Sequence, residues 1–273
     1  MQGELPTHPE LLDWLAVDFM EHNWDIKYII KKIVSSNTYR QSARVSEKAL
    51  EKDPENIYLS HAPRIRLKAE FVRDLVLSSS GLLVKKMGGP SVKPYQPAGL
   101  WESATSGRGE LATYKQDKGE KLYRRGLYTF IKLTVPPPSM ILFDASNRDQ
   151  CEVTRLQTNT PLQALAMMND PTILEASRVF SQKLISANKD AQTNIETAFR
   201  RILCRTPEKE ELSILTRYHK EQLELFRAGQ LDAKATLKVG EYPQDPKLDP
   251  VVQAALMKTI NLMYNMEEAI VKS

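Results

Sequence analysis

The sequence predicts a mainly α protein, an irregular helical domain with long Pro- and Gly-rich loops. Three observations carry that expectation. Apolar residues recur at three- and four-residue spacing in six or more separate stretches. Ser, Thr, Asp or Asn followed by Pro stands at the start of most of those stretches, as helix initiation favours. Between residues 88 and 119 no period holds at all, and Gly88-Gly89-Pro90 and Lys93-Pro94-Tyr95-Gln96-Pro97 suit neither regular element.

Taken in chain order, Thr7, Pro9 and Glu10 form a T-x-x-E start, and Leu11, Leu12, Leu15 and Phe19 follow at helical spacing, which predicts a helix over Pro9–Glu21. After Asn23 and Asp25, either able to cap, Ile26, Ile29, Ile30 and Ile33 form a stripe with Lys27, Lys31 and Lys32 opposite. Trp14, Leu15, Phe19, Ile29, Ile30 and Ile33 are expected to pack together between these two helices. Residues 42–63 are polar and turn at Asp53-Pro54; Leu67, Phe71, Leu75 and Leu82 then define a third helix that Gly81 ends. Residues 123–134 fit a helix through Tyr123, Leu127 and Ile131 and equally a β-strand, and Pro136, Pro137 and Pro138 stop either.

The second half is more regular. Thr160-Pro161 opens a short helix ending near Asn169, with Gln163 placed to reach back to the cap. Asp170-Pro171 opens another through Ile173, Leu174, Phe180 and Leu184, and Ile195, Phe199, Ile202 and Leu203 line the next. Thr206-Pro207 begins a long helix through Leu212, Leu215, His219 and Phe226. Asp249-Pro250 begins the last, through Leu256, Ile260, Met263 and Ile270. Residues 229–248 read as a polar linker to that last helix. The organisation expected is one α-helical domain over 7–273, with a sub-domain division near 135–160.

Composition narrows the function classes. The 273 residues are 41% hydrophobic and 26% charged, a globular mixture, and the net charge of +4 gives little attraction for polyanions. Basic groups at Arg64, Arg66 and Lys68, at Lys121, Arg124 and Arg125, and at Arg200 and Arg201 are interrupted by Glu70, Asp74, Glu120 and Glu196. They read as solvated faces with local ion pairs, so no nucleic-acid partner is expected. The amino terminus lacks the basic and apolar regions of a signal peptide, and no window has the ~20 apolar residues of a membrane span.

Chemistry-bearing residues are sparse. Cys151 and Cys204 lie far apart without C-x-x-C or C-x-x-C-H spacing, so zinc, dithiol or covalent haem sites are not encoded. Burial beside helices is the expected state of both thiols, and a disulfide between them is left open. His8, His22, His61 and His219 never fall at metal-ligand spacing, so no metal is expected. The densest polar run is Asp144, Asn147, Arg148 and Cys151, followed by Arg155, Asn159, Asn169 and Asp170. A carboxylate beside a guanidinium can orient a substrate or tune a base, and Arg148 or Arg155 could activate the Cys151 thiolate. The simpler expectation is architectural: Asp144 fixes a turn, and Arg148 or Arg155 ties Asp144 or Asp170 into a hub across residues 136–170.

The stretches THPELLDWLA, SSNTYRQSA, DPENIYLSHAPRIRLKAEFVRD, GGPSVKPYQPAGLWE, YRRGLYTFIKLTVPPPSMILFDASNRDQC and TNTPLQALAMMNDP resemble the planctomycete and Solibacter conserved domain of unknown function. FRRILCRTPEKEEL, VGEYPQDPKLDP and the last helix resemble that domain's carboxy-terminal end. Members begin earlier than QGELPTHPE, so the resemblance implies a truncated copy lacking the leading helical part. It also implies an extracytoplasmic setting, in periplasm or cell envelope, because the domain commonly closes an exported protein with a cytochrome-type domain and sometimes a lectin-like module.

The family supplies no catalytic residues, and neither haem nor sugar can be assigned to a residue here, so no cofactor is expected in this chain. Two readings follow. The first is a helical interaction or scaffold module whose partners are other domains or proteins of the cell envelope, with carbohydrate as a further ligand class. The second is an enzyme acting on polysaccharide or coupled to redox chemistry, with a site around Asp144 and Arg148.

Overall fold

The computed structural model describes residues 5–105, 108–109, 111–146, 148 and 154–272. Among them are thirteen α-helices, two 3₁₀ turns and two strands of two residues each, a mainly α architecture. The chain divides into two compact units, residues 1–65 with 271–273, and residues 66–270. The boundary at residue 65 lies well before the division expected near 135–160, which falls inside the second unit.

The first unit holds α1 (Pro9–Glu21), α2 (Ile26–Ser35) and α3 (Glu47–Lys52). Asp25 caps α2, its carboxylate accepting the Lys27 and Tyr28 amides at 2.9 and 3.1 Å. The Thr7 capping box does not form: His8 stands at the N-cap, and no side chain bonds the first amides of α1. The apolar cluster expected between α1 and α2 is also absent as a core. Trp14, Ile30 and Ile33 are exposed, and the one buried residue of α1 is Asp18. Two short helices joined by four residues cannot enclose a core without a third layer. What joins them is polar: Asp18 accepts from Lys32 at 2.7 Å and from the Tyr28 hydroxyl at 3.3 Å. The Lys32 ammonium lowers the Asp18 carboxyl below its ordinary range.

The second unit contains α4 (Ala69–Ser79), α5 (Leu100–Thr105), α6 (Pro138–Leu142), α7 (Pro161–Asn169), α8 (Pro171–Ala187), α9 (Ala191–Leu203), α10 (Lys209–Arg227), α11 (Ala233–Leu237), α12 (Pro250–Tyr264) and α13 (Glu267–Ile270). Its centre is α12, packed against α8, α10, α9 and α11. Ala254, Ala255, Ile260, Met263 and Tyr264 of α12 have no solvent exposure, nor do Ala176, Val179 and Phe180 of α8 and Ile195, Ala198 and Phe199 of α9. Each large apolar side chain so buried contributes about 1.5–3 kcal/mol. The Tyr264 hydroxyl meets Ser79 Oγ at 2.7 Å and so anchors α12 to α4.

Several local expectations change. The 229–248 segment is not a simple linker: it forms α11, capped by Asp232, and Ala233 and Leu237 join the core cluster with Ala254, Ala255 and Met257. The last helix breaks at Asn265 and resumes as α13. Residues 123–134 are neither long helix nor strand; 3₁₀ turns at Gly119–Tyr123 and Gly126–Tyr128 are pinned by bridges from Arg124 to Val84 and from Thr129 to Val92. The 88–119 loop encloses α5, whose Trp101 is 1% exposed and so makes the loop a small core of its own. Pro138, expected to stop structure, occupies the first turn of α6, where its missing N–H costs nothing. No helix among the described residues is long and apolar enough to cross a membrane.

Candidate functional site

Among the described residues, the sequence-predicted Asp144 and Asp170 each hold a different partner, and Arg148 is exposed. Asp144 follows α6 at a left-handed φ of 56° and spends its carboxylate on a single residue. Its Oδ2 accepts the Thr158 N–H at 2.7 Å, and its Oδ1 accepts the Thr158 hydroxyl at 2.9 Å. Asp170 is the N-cap of α8 and accepts the Thr172 amide at 2.8 Å. Arg148 is exposed, and its backbone amide donates to Ser146 Oγ at 3.2 Å. Asn147 and Cys151 lie outside the described residues. Asn169 donates to the Leu165 carbonyl at 2.8 Å, and Asn159 is exposed.

The expected hub exists with different partners. Arg155 ties neither Asp144 nor Asp170; it donates to both carboxylate oxygens of Glu70 on α4, at 2.8 and 3.1 Å. Burial raises the Glu70 carboxyl, but the Arg155 hydrogen bonds and charge outweigh it and leave the group below its ordinary range. Gln163 does reach back to the Thr160 amide, and its Nε2 donates to the Leu142 carbonyl at 2.7 Å and to the Thr158 carbonyl at 3.2 Å. Arg66 donates to Gln163 Oε1. Thus α6, the Asp144 turn and α7 are stitched by side chains where the backbone lacks partners of its own.

Other residues also depart from expectation. Cys204 is a free, exposed thiol at the C-cap of α9 rather than a buried one. Arg124 is 5% exposed, not part of a solvated face; it donates to the carbonyls of Lys86, Gly88 and Pro90 and stacks on Tyr128. Among the described residues no three His, Cys, Asp or Glu side chains are grouped to hold a metal.

The concave site is one that the sequence reading missed. An inner cavity of about 50 Å³ lies between α4, α6 and the start of α8, walled by Arg73, Tyr95, Tyr114, Thr129 and Thr172. It shares Tyr95, Gln96, Ser139, Ala166 and Asp170 with an outer cleft of about 350 Å³, lined by Pro97, Pro138, Leu142, Leu162 and Leu165. Arg73 donates to the Leu122 carbonyl and, at 3.4 Å, to the Arg124 carbonyl and Thr172 Oγ1. Among the described residues no carboxylate lies within ion-pair distance of it, and burial lowers its basicity. Tyr95 accepts the Glu241 amide at 2.9 Å, and Tyr114 donates to the Pro94 carbonyl, so both hydroxyls have protein partners. Burial raises both phenols.

Behind this wall a charged pair is fully enclosed. Glu175 and Arg178 on α8 have no solvent exposure and lie 3.7 Å apart. Glu175 Oε1 accepts the Tyr123 hydroxyl at 3.0 Å and the Tyr242 amide at 2.7 Å; Arg178 donates to the carbonyls of Val239 and Tyr242 at 3.0 and 2.7 Å. These bonds hold the 239–242 turn against α8, a fixing role that a buried pair can fill without adding net stability. The only sequence signals for the cleft were Pro94 and Pro97 bracketing Tyr95 and Gln96, since Arg73 and Thr129 come from elements that meet only in three dimensions.

The model of the family described as PSD1, protein of unknown function (DUF1553), matches residues 1–219, ending within α10. Comparison with the curated proteins and with the solved structures returns no match.

Proposed function

This chain belongs to the PSD1 family, and on that premise we propose that it is a helical interaction module of an extracytoplasmic, multidomain protein of planctomycete type. Its partners in this reading are other domains or proteins of the cell envelope. The observation that carries the docking role is the density of exposed apolar residues along α1, the turn after it and α2. Leu12 and Trp14 of α1, Trp24 of the turn, and Ile26 and Ile30 of α2 are 52–64% exposed, within 19 residues of each other. Exposed apolar groups this dense mark an interaction surface rather than scattered surface residues. The occupant is a second apolar helical surface, with acidic groups to meet Lys27 and Lys31 beside the isoleucine stripe. The planctomycete and envelope setting, and carbohydrate as a further ligand class, rest on the sequence resemblance.

The enzyme reading around Asp144 and Arg148 draws no support from geometry: one group is held by Thr158, the other is exposed, and Asp170 caps a helix. The docking reading is tested with bis-ANS fluorescence and thermal unfolding of the chain carrying both Ile26→Lys and Ile30→Lys. Dye binding should fall by at least about half while the unfolding midpoint holds within about 2 °C, because exposed positions contribute little to stability. A midpoint lowered by several degrees, or unchanged dye binding, overturns it.

A further inference from the structure

The cleft reaching from the α6–α7 surface to Arg73 carries an inference separate from the docking role. Two polar side-chain atoms in its lining are buried without a hydrogen-bond partner among the described residues: Thr129 Oγ1 and Gln96 Nε2. Thr129 is 5% exposed, so its hydroxyl is cut off from bulk water. An unpaired buried hydroxyl or amide costs roughly 1–3 kcal/mol, which a protein tolerates where a bound molecule supplies the partner. Both atoms are donors, and beside them stands the Arg73 guanidinium, also a donor and, among the described residues, without a carboxylate in ion-pair range. The inner cavity therefore asks for an acceptor-rich, negatively charged group.

A second charge is placed where the chambers meet. Asp170 lines both, and among the described residues the one hydrogen bond its carboxylate accepts is the Thr172 amide on Oδ1. Its second oxygen is available to a donor, and it would repel a ligand that carried only a carboxylate. Beyond it the outer cleft is apolar. A molecule that satisfies all three zones carries a carboxylate, a cation near it, and a hydrocarbon or aryl body.

We propose that this cleft binds an α-amino acid with an apolar side chain, its carboxylate toward Arg73, Gln96 and Thr129, its ammonium toward Asp170 and its side chain among Leu142, Leu162 and Leu165. The site is sized for such a ligand. About 50 Å³ of inner space admits a carboxylate-sized group, since a single water needs roughly 10–15 Å³ on the same measure, and the outer 350 Å³ admits the side chain.

Titration calorimetry of the full chain tests this with L-leucine and L-phenylalanine, and with two halves of leucine: 4-methylpentanoate, lacking the amine, and 3-methylbutylamine, lacking the carboxylate. Leucine or phenylalanine should bind, and each half at least about tenfold more weakly, the worth of one charge-assisted contact. Thr129→Val and Asp170→Asn should each weaken binding by about tenfold with the unfolding midpoint kept. Valine is isosteric and removes a hydroxyl with no protein partner, and asparagine caps α8 as aspartate does. Saturation by neither amino acid up to roughly 10 mM would mean that the cavity holds water only and overturns the proposal. So does 4-methylpentanoate binding as tightly as leucine, or leucine binding that both variants leave unchanged.

Discussion

Gly240 lies against Glu175 so closely that a Cβ on Gly240 would stand 2.1 Å from the carboxylate carbon and 2.2 Å from Oε1. Its φ of +76° is also one that L side chains rarely adopt. The glycine thus lets the 239–242 turn close over a buried carboxylate that the Tyr242 amide must reach. Gly240→Ala should destabilise the chain by about 2 kcal/mol or more, because strain and steric overlap add at one position. Urea unfolding checks this; a change under about 0.5 kcal/mol would mean that the turn opens freely.

Arg155 and Arg148 separate an architectural cation from a surface one. Arg155→Ala should cost about 1–2 kcal/mol, since it removes the guanidinium whose Nη1 donates to both oxygens of the partly buried Glu70 carboxylate. Arg148→Ala should stay within about 0.5 kcal/mol, as exposed substitutions do. The two variants in parallel denaturation should therefore rank in that order. Equal costs would divide the hub between Arg155 and Arg148, the two cations that the sequence offered for it.

Leu15 measures how much core α1 has. It is only half-buried, so Leu15→Ala should cost roughly 1 kcal/mol rather than the 2–5 kcal/mol of a core leucine. A loss inside the higher range would show that α1 packs as the helical spacing alone suggested.

His219 supplies a pH signature. It is 5% exposed on α10, near Thr259 Oγ1, and burial lowers its pKa from the ordinary 6.5. The unfolded chain then takes up a proton that the folded chain refuses, so stability is full above about pH 6.5 and falls as pH drops below it, until the folded pKa is reached. Unfolding free energies at pH 7 and pH 5 should differ less in His219→Gln than in the wild-type chain. An equal pH dependence in both would remove His219 as the cause.

Much of the fold was legible in the sequence, and the reasons are local. Pro9–Glu21 and Pro161–Asn169 begin and end where prolines and apolar spacing placed them, α2 begins after Asp25 as read, and Asp170-Pro171 and Asp249-Pro250 open α8 and α12. A cap and the helix it starts lie within four residues of each other, so their chemistry is written contiguously. α11 escaped because its five residues are too few to show a period, and residues 123–134 escaped because their partners, Val84 and Val92, lie some forty residues upstream.

The sequence by itself determined where α2, α7, α8 and α12 start and how the histidines are spaced, since each depends on residues close along the chain. Only the tertiary structure decided which charges meet. Arg155 reaches Glu70 across 85 positions, and Arg73 comes within hydrogen-bond reach of Thr172 across 99. Apolar periodicity orients a helix face but says nothing of which distant side chain it will meet, so α1 and α2, amphipathic on paper, kept their apolar faces exposed. The cleft exists for the same reason: packing α4, α6, α7 and α8 together left Thr129 and Gln96 buried without partners, a consequence of shape that no spacing in the chain encodes.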